Sequence, residues 1–373
     1  MTGASDARAR LGLTLASGLA LVWWSPPTAA CFAISILAGW VLEGAGTPGH
    51  LAFLVVHGAL MVLARELGTL PVLGLAALGL QQLAWRLRPL QASWLDRLFT
   101  FLFLPRALAG PVWTVLPRRR AAPDPSGWGL VLLGLVEKVV IADSFAWHAD
   151  AVLDGHGSPG ALQAWSGLVA FAVQALFDLA GLWHVAQGLG RVVGFPLPDG
   201  PRHPFAARTL ADFWGRWHPS LAGVLREAHV VTGSLGVYAL AVLFYGTHPM
   251  AVLAVAVQLG LLGLERVSPV HPGRAAVWLA GLHGLLLFRS PSLERVAFLQ
   301  DGLVGVFGPG TADPASLLAL VGGVMVLAFG PPDPVRVFPV RSRPLSAPLA
   351  VGTGLAVLVL WLAQARPFLY PRL

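Results

Sequence analysis

The sequence predicts an all-α, polytopic integral membrane protein, and three observations carry that reading. Hydrophobic residues make up 56% of the 373-residue chain, and its mean hydropathy is +0.70. Charged residues make up only 12%, against about 25% in a soluble domain, so charge cannot cover a globular surface and lipid is the better solvent. Apolar runs near membrane length recur from end to end, among them Leu11–Trp24, Thr28–Leu42, Leu51–Leu63, Val72–Ala84, Leu98–Val115, Gly129–Ile141 and Leu162–Leu179. Leu235–Tyr245, Ala251–Leu264, Ala275–Phe288, Ala315–Phe329 and Ala347–Leu362 continue the series. A spanning helix needs about 20 apolar residues and at least about 17, so the shorter runs read as re-entrant elements or as spans extended by flanking polar residues. The expectation is roughly 10–12 membrane helices in one unit, re-entrant elements included.

In chain order, residues 1–95 read as a group of N-terminal transmembrane helices. Leu11–Trp24 reads as a first membrane segment rather than a removed leader. Ser25-Pro26-Pro27 ends it. Residues 96–310 hold nearly all the polar signals, with proline-rich breaks at Ala121–Ser126 and Pro196–Pro204. Residues 311–373 read as C-terminal transmembrane helices, divided by Pro331–Pro334 and Pro339–Pro344.

The net charge of +7 comes almost wholly from arginine, since Lys138 is the one lysine. The arginines sit at the ends of apolar runs, as Arg86 and Arg88 or Arg118 to Arg120 do, which is the placement of interfacial anchors. They form no stripe beside aromatics, so nucleic acid is not a partner; the lipid bilayer is. Cys31, the lone cysteine, rules out an internal disulfide and a thiolate metal cluster.

Ionisable side chains inside spans cost roughly 2.5–3.5 kcal/mol each on insertion scales and so face a partner or a cavity. Asp178, in LVAFAVQALFDLAG, is the sharpest case, with Gln174 one helical turn before it. A buried structural pair and a functional site both fit it. A second concentration is TLADFWGRWHPSL, residues 209–221. On a helix, Phe213, Trp217 and Leu221 share one face, Trp214 and His218 another, and Asp212 and Arg216 can pair at i,i+4. Pro219 places a bend at His218, because the residue before proline leaves the helical region. An interfacial aromatic belt would use the same residue types. His248, in LFYGTHPM, also precedes a proline, and non-helical backbone at membrane depth is tolerated only where protein or a water-filled cavity satisfies it. Two such histidines suggest one polar cavity, and histidine suits general base work near neutral pH. Neither HxxxH nor HExxH spacing surrounds them, so no metal is expected. The chain has no phosphate-binding GxxxxGK[ST] loop and no GxSxG elbow.

Six segments in order make a resemblance. FLFLPRALAGPVW, GLVLLGLVEKVVIADSFAWHADAVLD, FAVQALFDLAGLWHVAQGLGRVVGFPLP, TLADFWGRWHPSLAGVLRE, LFYGTHPM and LLLFRSPSLERVAF lie between about residues 97 and 310. They resemble, in turn, Phe-Pro…Ala-Gly-Pro-Ile; Gly-Leu…Lys-Lys…Ile-Ala-Asp; Gln…Tyr-Phe-Asp-Phe-Ser-Gly-Tyr-Ser-Asp…Gly-Phe; Phe-Trp-Arg-Arg-Trp-His-Ile-Ser-Leu…Trp-Leu-Arg-Asp; Gly-Leu-Trp-His-Gly; and Phe-Phe-Arg-Ala. These are motifs of the membrane-bound O-acyltransferase family, in its bacterial branch of alginate O-acetylases and D-alanyl transfer proteins. The resemblance implies a central tunnel, a bacterial inner-membrane location, and an acyl-CoA or acyl-carrier thioester as co-substrate with no bound cofactor. It implies transfer of an acetyl or other short acyl group to a hydroxyl of an extracytoplasmic glycan or partner protein. By position it assigns catalysis to His248 and His218, and substrate binding to Asp178, Trp214, Arg216, Trp217 and Arg226.

The departures are local. Thr247-His248-Pro249 replaces Trp-His-Gly; Gly181-Leu182-Trp183-His184 replaces Gly-Tyr-Ser-Asp and loses its aspartate; HVVTGSLG stands where Tyr-Ile-Pro-Leu-Gly-Gly is expected. Two alternatives therefore stand beside the enzyme: a catalytically degenerate scaffold of the same fold, and a proton-coupled transporter using Asp178 and the histidines.

Overall fold

The structure, a computed structural model, describes residues 26–41, 122–198, 200–223, 225–226, 249–267 and 273–331, with isolated positions between 11 and 103. Every regular element among them is a helix. They are α1 (Pro26–Val41), α2 (Gly127–Val136), a π-helical turn (Glu137–Ala142), α3 (Asp143–Leu153), α4 (Ala161–Val193), a 3₁₀ turn (Pro204–Ala206), α5 (Leu210–Trp217), α6 (Pro249–Val267), α7 (Gly273–Arg289), α8 (Leu293–Leu303) and α9 (Pro314–Phe329). The apolar runs at 28–42, 251–264, 275–288 and 315–329 fall on α1, α6, α7 and α9. Those at 51–63, 72–84, 235–245 and 347–362 lie wholly or almost wholly outside the described residues.

The central element is α4, whose 33 residues extend about 50 Å at 1.5 Å per residue. It runs well beyond the apolar stretch that ends at Leu179, because Trp183, His184 and Gln187 are buried against neighbours rather than placed in a loop. Gly194 ends it in the left-handed conformation (φ 83°), its N–H closing onto the carbonyls of Arg191 and Gly190. Around α4 pack α2, the π-turn, α3, α7, α8 and α9. α2 lies antiparallel to α4 across paired glycines. A Cβ on Gly127 would overlap the Gly188 carbonyl oxygen, and one on Gly134 that of Gly181. Glycine is the residue that permits this backbone approach, as at small-residue helix contacts in membranes.

Among the described residues, two helices, α4 and α6, are long and apolar enough to cross a membrane. α4 is largely enclosed by protein, whereas α6 is mostly uncovered. On α9, Leu317, Leu318, Val321, Met325 and Phe329 are exposed, a contiguous apolar face of the kind that water does not favour. Aromatic packing joins α5 to the rest: Phe205 meets Phe213, Trp217 and Trp278 at centroid distances of 5.3, 6.4 and 4.8 Å. Trp278 Nε1 also donates to the Phe205 carbonyl at 2.6 Å.

Candidate active site

The aromatic-rich stretch folds as the spacing predicts. Thr209 caps α5 by accepting from the Asp212 amide, and Arg216 donates to Asp212 at 2.7 Å on a half-exposed face. A second cap comes from α6: Glu265 accepts the Leu210 and Ala211 amides at 2.7 and 3.1 Å. A carboxylate on the otherwise unsatisfied first amides of a helix fixes both its end and its angle to α6. Phe213 and Trp217 stack at 5.7 Å on the buried face. The helix stops at His218 (φ −139°, ψ 76°), and helix resumes from Pro219, where a missing N–H costs nothing.

His218 is thereby held at a corner. Its Nδ1 lies 3.4 Å from the Leu221 amide and 3.2 Å from the Ser220 hydroxyl. The amide is a donor only, so this contact suits the neutral tautomer that carries its proton on Nε2. The break lies outside the long apolar helices, and burial pushes the imidazole down to about 4, which keeps it neutral at pH 7.

His218, Trp214 and Trp217 share the wall of one cavity of about 130 Å³. α4 contributes Phe171 and Ala175, α6 Ala254 and Gln258, and α7 Gly284 and Phe288. Gln258 ties three walls together, accepting from Trp214 Nε1 at 3.1 Å and donating to the Ala280 carbonyl at 3.0 Å. The Trp214 N–H is thus engaged within the fold. Gln258 was legible as a polar residue in an apolar run, by the same criterion that singled out Asp178, whereas Glu265 falls just past the end of that run.

The remaining assigned residues lie elsewhere. Asp178, 1% exposed, is ion-paired to Lys138 at 2.8 Å, and Lys138 also reaches Asp143 at 2.7 Å. Gln174 makes no bond to Asp178; its side-chain oxygen is buried without a partner among the described residues. Nearly two turns on, the His184 imidazole bonds Glu137 at 2.6 Å, both side chains 1% exposed. These five ionisable groups form a polar seam between α4 and the π-turn. The π-turn is itself a device often found where a helix is adapted to function. Arg216 and Arg226 are on the outer side of the α5 corner, Arg226 exposed. His248 lies outside the described residues, immediately before α6, whose residues Ala254 and Gln258 wall the cavity.

No protein-family model matches the chain. Among curated proteins it is similar to a peptidoglycan O-acetyltransferase of Helicobacter pylori, 31% identical over 147 residues, or 36% of this chain and 28% of that one. It is similar to a probable alginate O-acetylase of Azotobacter vinelandii, 37% identical over 94 residues, 25% of this chain and 19% of that one. A teichoic acid D-alanyltransferase of Bacillus subtilis matches at 32% over 60 residues, 16% and 15% of the two chains. The chain is a homologue of the membrane-bound O-acyltransferases. The matches span less than a third of those relatives' own lengths.

Set against the motifs that the chain resembles, the polar seam brings together two substituted positions. Glu137 stands where the motif has the first of its two lysines, and His184 where it has the second aspartate. The structure joins these two positions by a 2.6 Å bond, so the glutamate and the histidine that stand there are each other's partner. The lost aspartate is matched by a gained glutamate. Arg289, in the segment resembling Phe-Phe-Arg-Ala, bonds Asp150 at 3.0 Å and Asp154 and lies 5.7 Å from the Phe171 ring.

Proposed function

We propose that the protein is a multi-pass O-acyltransferase of the bacterial inner membrane, with a core over residues 96–310 flanked by membrane helices at 1–95 and 311–373. It moves a short acyl group from a cytoplasmic acyl-CoA or acyl-carrier thioester to a hydroxyl of an extracytoplasmic glycan or a partner protein. What carries the reading is His218, fixed at a helix break on the wall of an apolar cavity built from four helices. The relatives, named as a peptidoglycan O-acetyltransferase, a probable alginate O-acetylase and a teichoic acid D-alanyltransferase, support the same kind of reaction. The uncovered apolar face of α9 supports lipid as its surroundings.

In this reaction the acceptor hydroxyl oxygen attacks the thioester carbonyl while His248 takes its proton. The carbon–sulfur bond then breaks, and the proton returns to the departing thiolate. His218, neutral and protonated on Nε2, donates to the carbonyl oxygen as negative charge develops there, a term of about 10²–10³ in rate for one well-placed donor. Trp217 and Trp214 shape the wall that holds the acyl group. Arg216 and Arg226 supply positive charge for the donor's phosphates. Asp178 acts on the site through Lys138, holding α4 in place.

The test is acyl transfer in membranes carrying the wild type, His248→Ala or His218→Ala, read as labelled acyl groups appearing in surface polymer or a co-expressed partner. Transfer that disappears with His248→Ala and falls 10²- to 10³-fold with His218→Ala supports the assignment. Wild-type rates in the His248→Ala membranes would refute it.

A further inference from the structure

Resting on the O-acyltransferase reading, we infer that the acyl group this site accepts is uncharged and longer than acetyl, about four to six carbons. Size is the first reason. The cavity holds about 130 Å³, and an aliphatic cavity of about 150 Å³ takes a six-carbon benzene ring. An acetyl group would place one methyl there and leave most of the space empty, forfeiting contacts along the walls.

Chemistry is the second reason. Among the described residues lining the cavity none carries a formal charge, and nearly all are aliphatic or aromatic. Gln258 and Trp214 direct their polar atoms to each other and to the Ala280 carbonyl. The wall therefore offers an aminoacyl ammonium no carboxylate, and an unpaired buried charge is strongly disfavoured. That separates this site from one suited to an alanyl group. Among the described residues, an aliphatic chain with its carbonyl beside His218 meets mostly aliphatic and aromatic side chains.

The walls also show what sets the length. Ala254 on α6 and Ala222 beyond the His218 break are small residues facing the space. A larger side chain at either would occupy it directly.

The experiment uses full-length protein in membranes with two-, four-, six- and twelve-carbon acyl-CoA donors and the ammonium-bearing β-alanyl-CoA. Thiol release and thermal stabilisation of the protein by each donor are both recorded. Each buried methylene is worth about a factor of four, so the four extra methylenes of hexanoyl allow up to roughly 200-fold. A preference of at least tenfold in kcat/KM for butyryl or hexanoyl over acetyl is expected, with β-alanyl and dodecanoyl poor. Ala254→Leu and, independently, Ala222→Leu should move the optimum to acetyl. Acetyl preferred by the wild type, or an unshifted optimum in both folded variants, overturns the inference while leaving the acyltransferase reading intact. No turnover and no stabilisation with any donor overturns both together.

Discussion

Replacing His184 by leucine tests the polar seam most directly. The substitution removes the partner of Glu137, whose side chain is 1% exposed and whose second oxygen already lacks a partner among the described residues. Carried as charges 2.6 Å apart, the pair attracts by about 6 kcal/mol at an effective dielectric of about 20. Desolvation offsets much of that, yet removing one member of a buried pair still costs about 3–5 kcal/mol, because the other is left uncompensated. At a few degrees per kcal/mol, the apparent melting temperature in detergent falls by roughly 6 °C or more. Glu137→Lys alone should do at least as much harm, since it sets a second lysine beside Lys138 and His184. Together, Glu137→Lys and His184→Asp restore the polarity seen in the family motif and should recover most of the loss. Melting followed by size-exclusion recovery, on the two single variants and the double, decides the matter. A double variant no more stable than the worse single would refute the idea that the two departures compensate each other. Single variants as stable as the wild type would refute the buried pair itself.

Three further outcomes follow from the same geometry. Lys138→Met leaves Asp178 buried at 1% exposure and should cost about 3–5 kcal/mol, whereas adding Asp178→Leu and Asp143→Asn, which removes both stranded carboxylates, should recover most of that loss in a thermal melt. Gly134→Val drives a side chain into the Gly181 carbonyl and should lower the yield of folded protein severely, while Gly260→Ala, at a position with open space, should be tolerated. His218 is held at about 4 against 6.5 when unfolded, so the unfolded state binds the extra proton between those values. Its contribution is complete above about pH 6.5 and is lost as pH falls toward 4, up to about 3 kcal/mol; melting from pH 4 to 7 should show a shallower acid slope for His218→Gln.

Much of the helical architecture could be read in advance because it depends on composition and local rules. Apolar runs placed α1, α6, α7 and α9, and Pro219 placed the break at His218. The extent of α4 could not be read that way. Trp183, His184 and Gln187 look like loop residues until the polar seam that receives them is known, and its other half lies some 47 residues earlier at Glu137. The same limit separated the site residues. His218, Trp214 and Trp217 are neighbours on one short segment, so helical spacing could bring them to a common wall. Asp178 was conspicuous for its cost in an apolar helix, but cost alone does not say which partner a charge has; Lys138 answers that only through the packing of the π-turn on α4.

That packing also bears on whether the chain is a degenerate relative. Loss of function would release both sides of a buried contact to drift independently, and a carboxylate left without its base would be expelled or neutralised. Here the two substituted positions meet at hydrogen-bond distance, both buried, with an acid on one side and a base on the other. The same seam holds α4, which supplies Phe171 and Ala175 to the cavity wall, and the cavity keeps His218 at its corner. A buried contact between the two substituted positions and a histidine held beside the cavity suit a working site. A scaffold that only bound a partner would need neither.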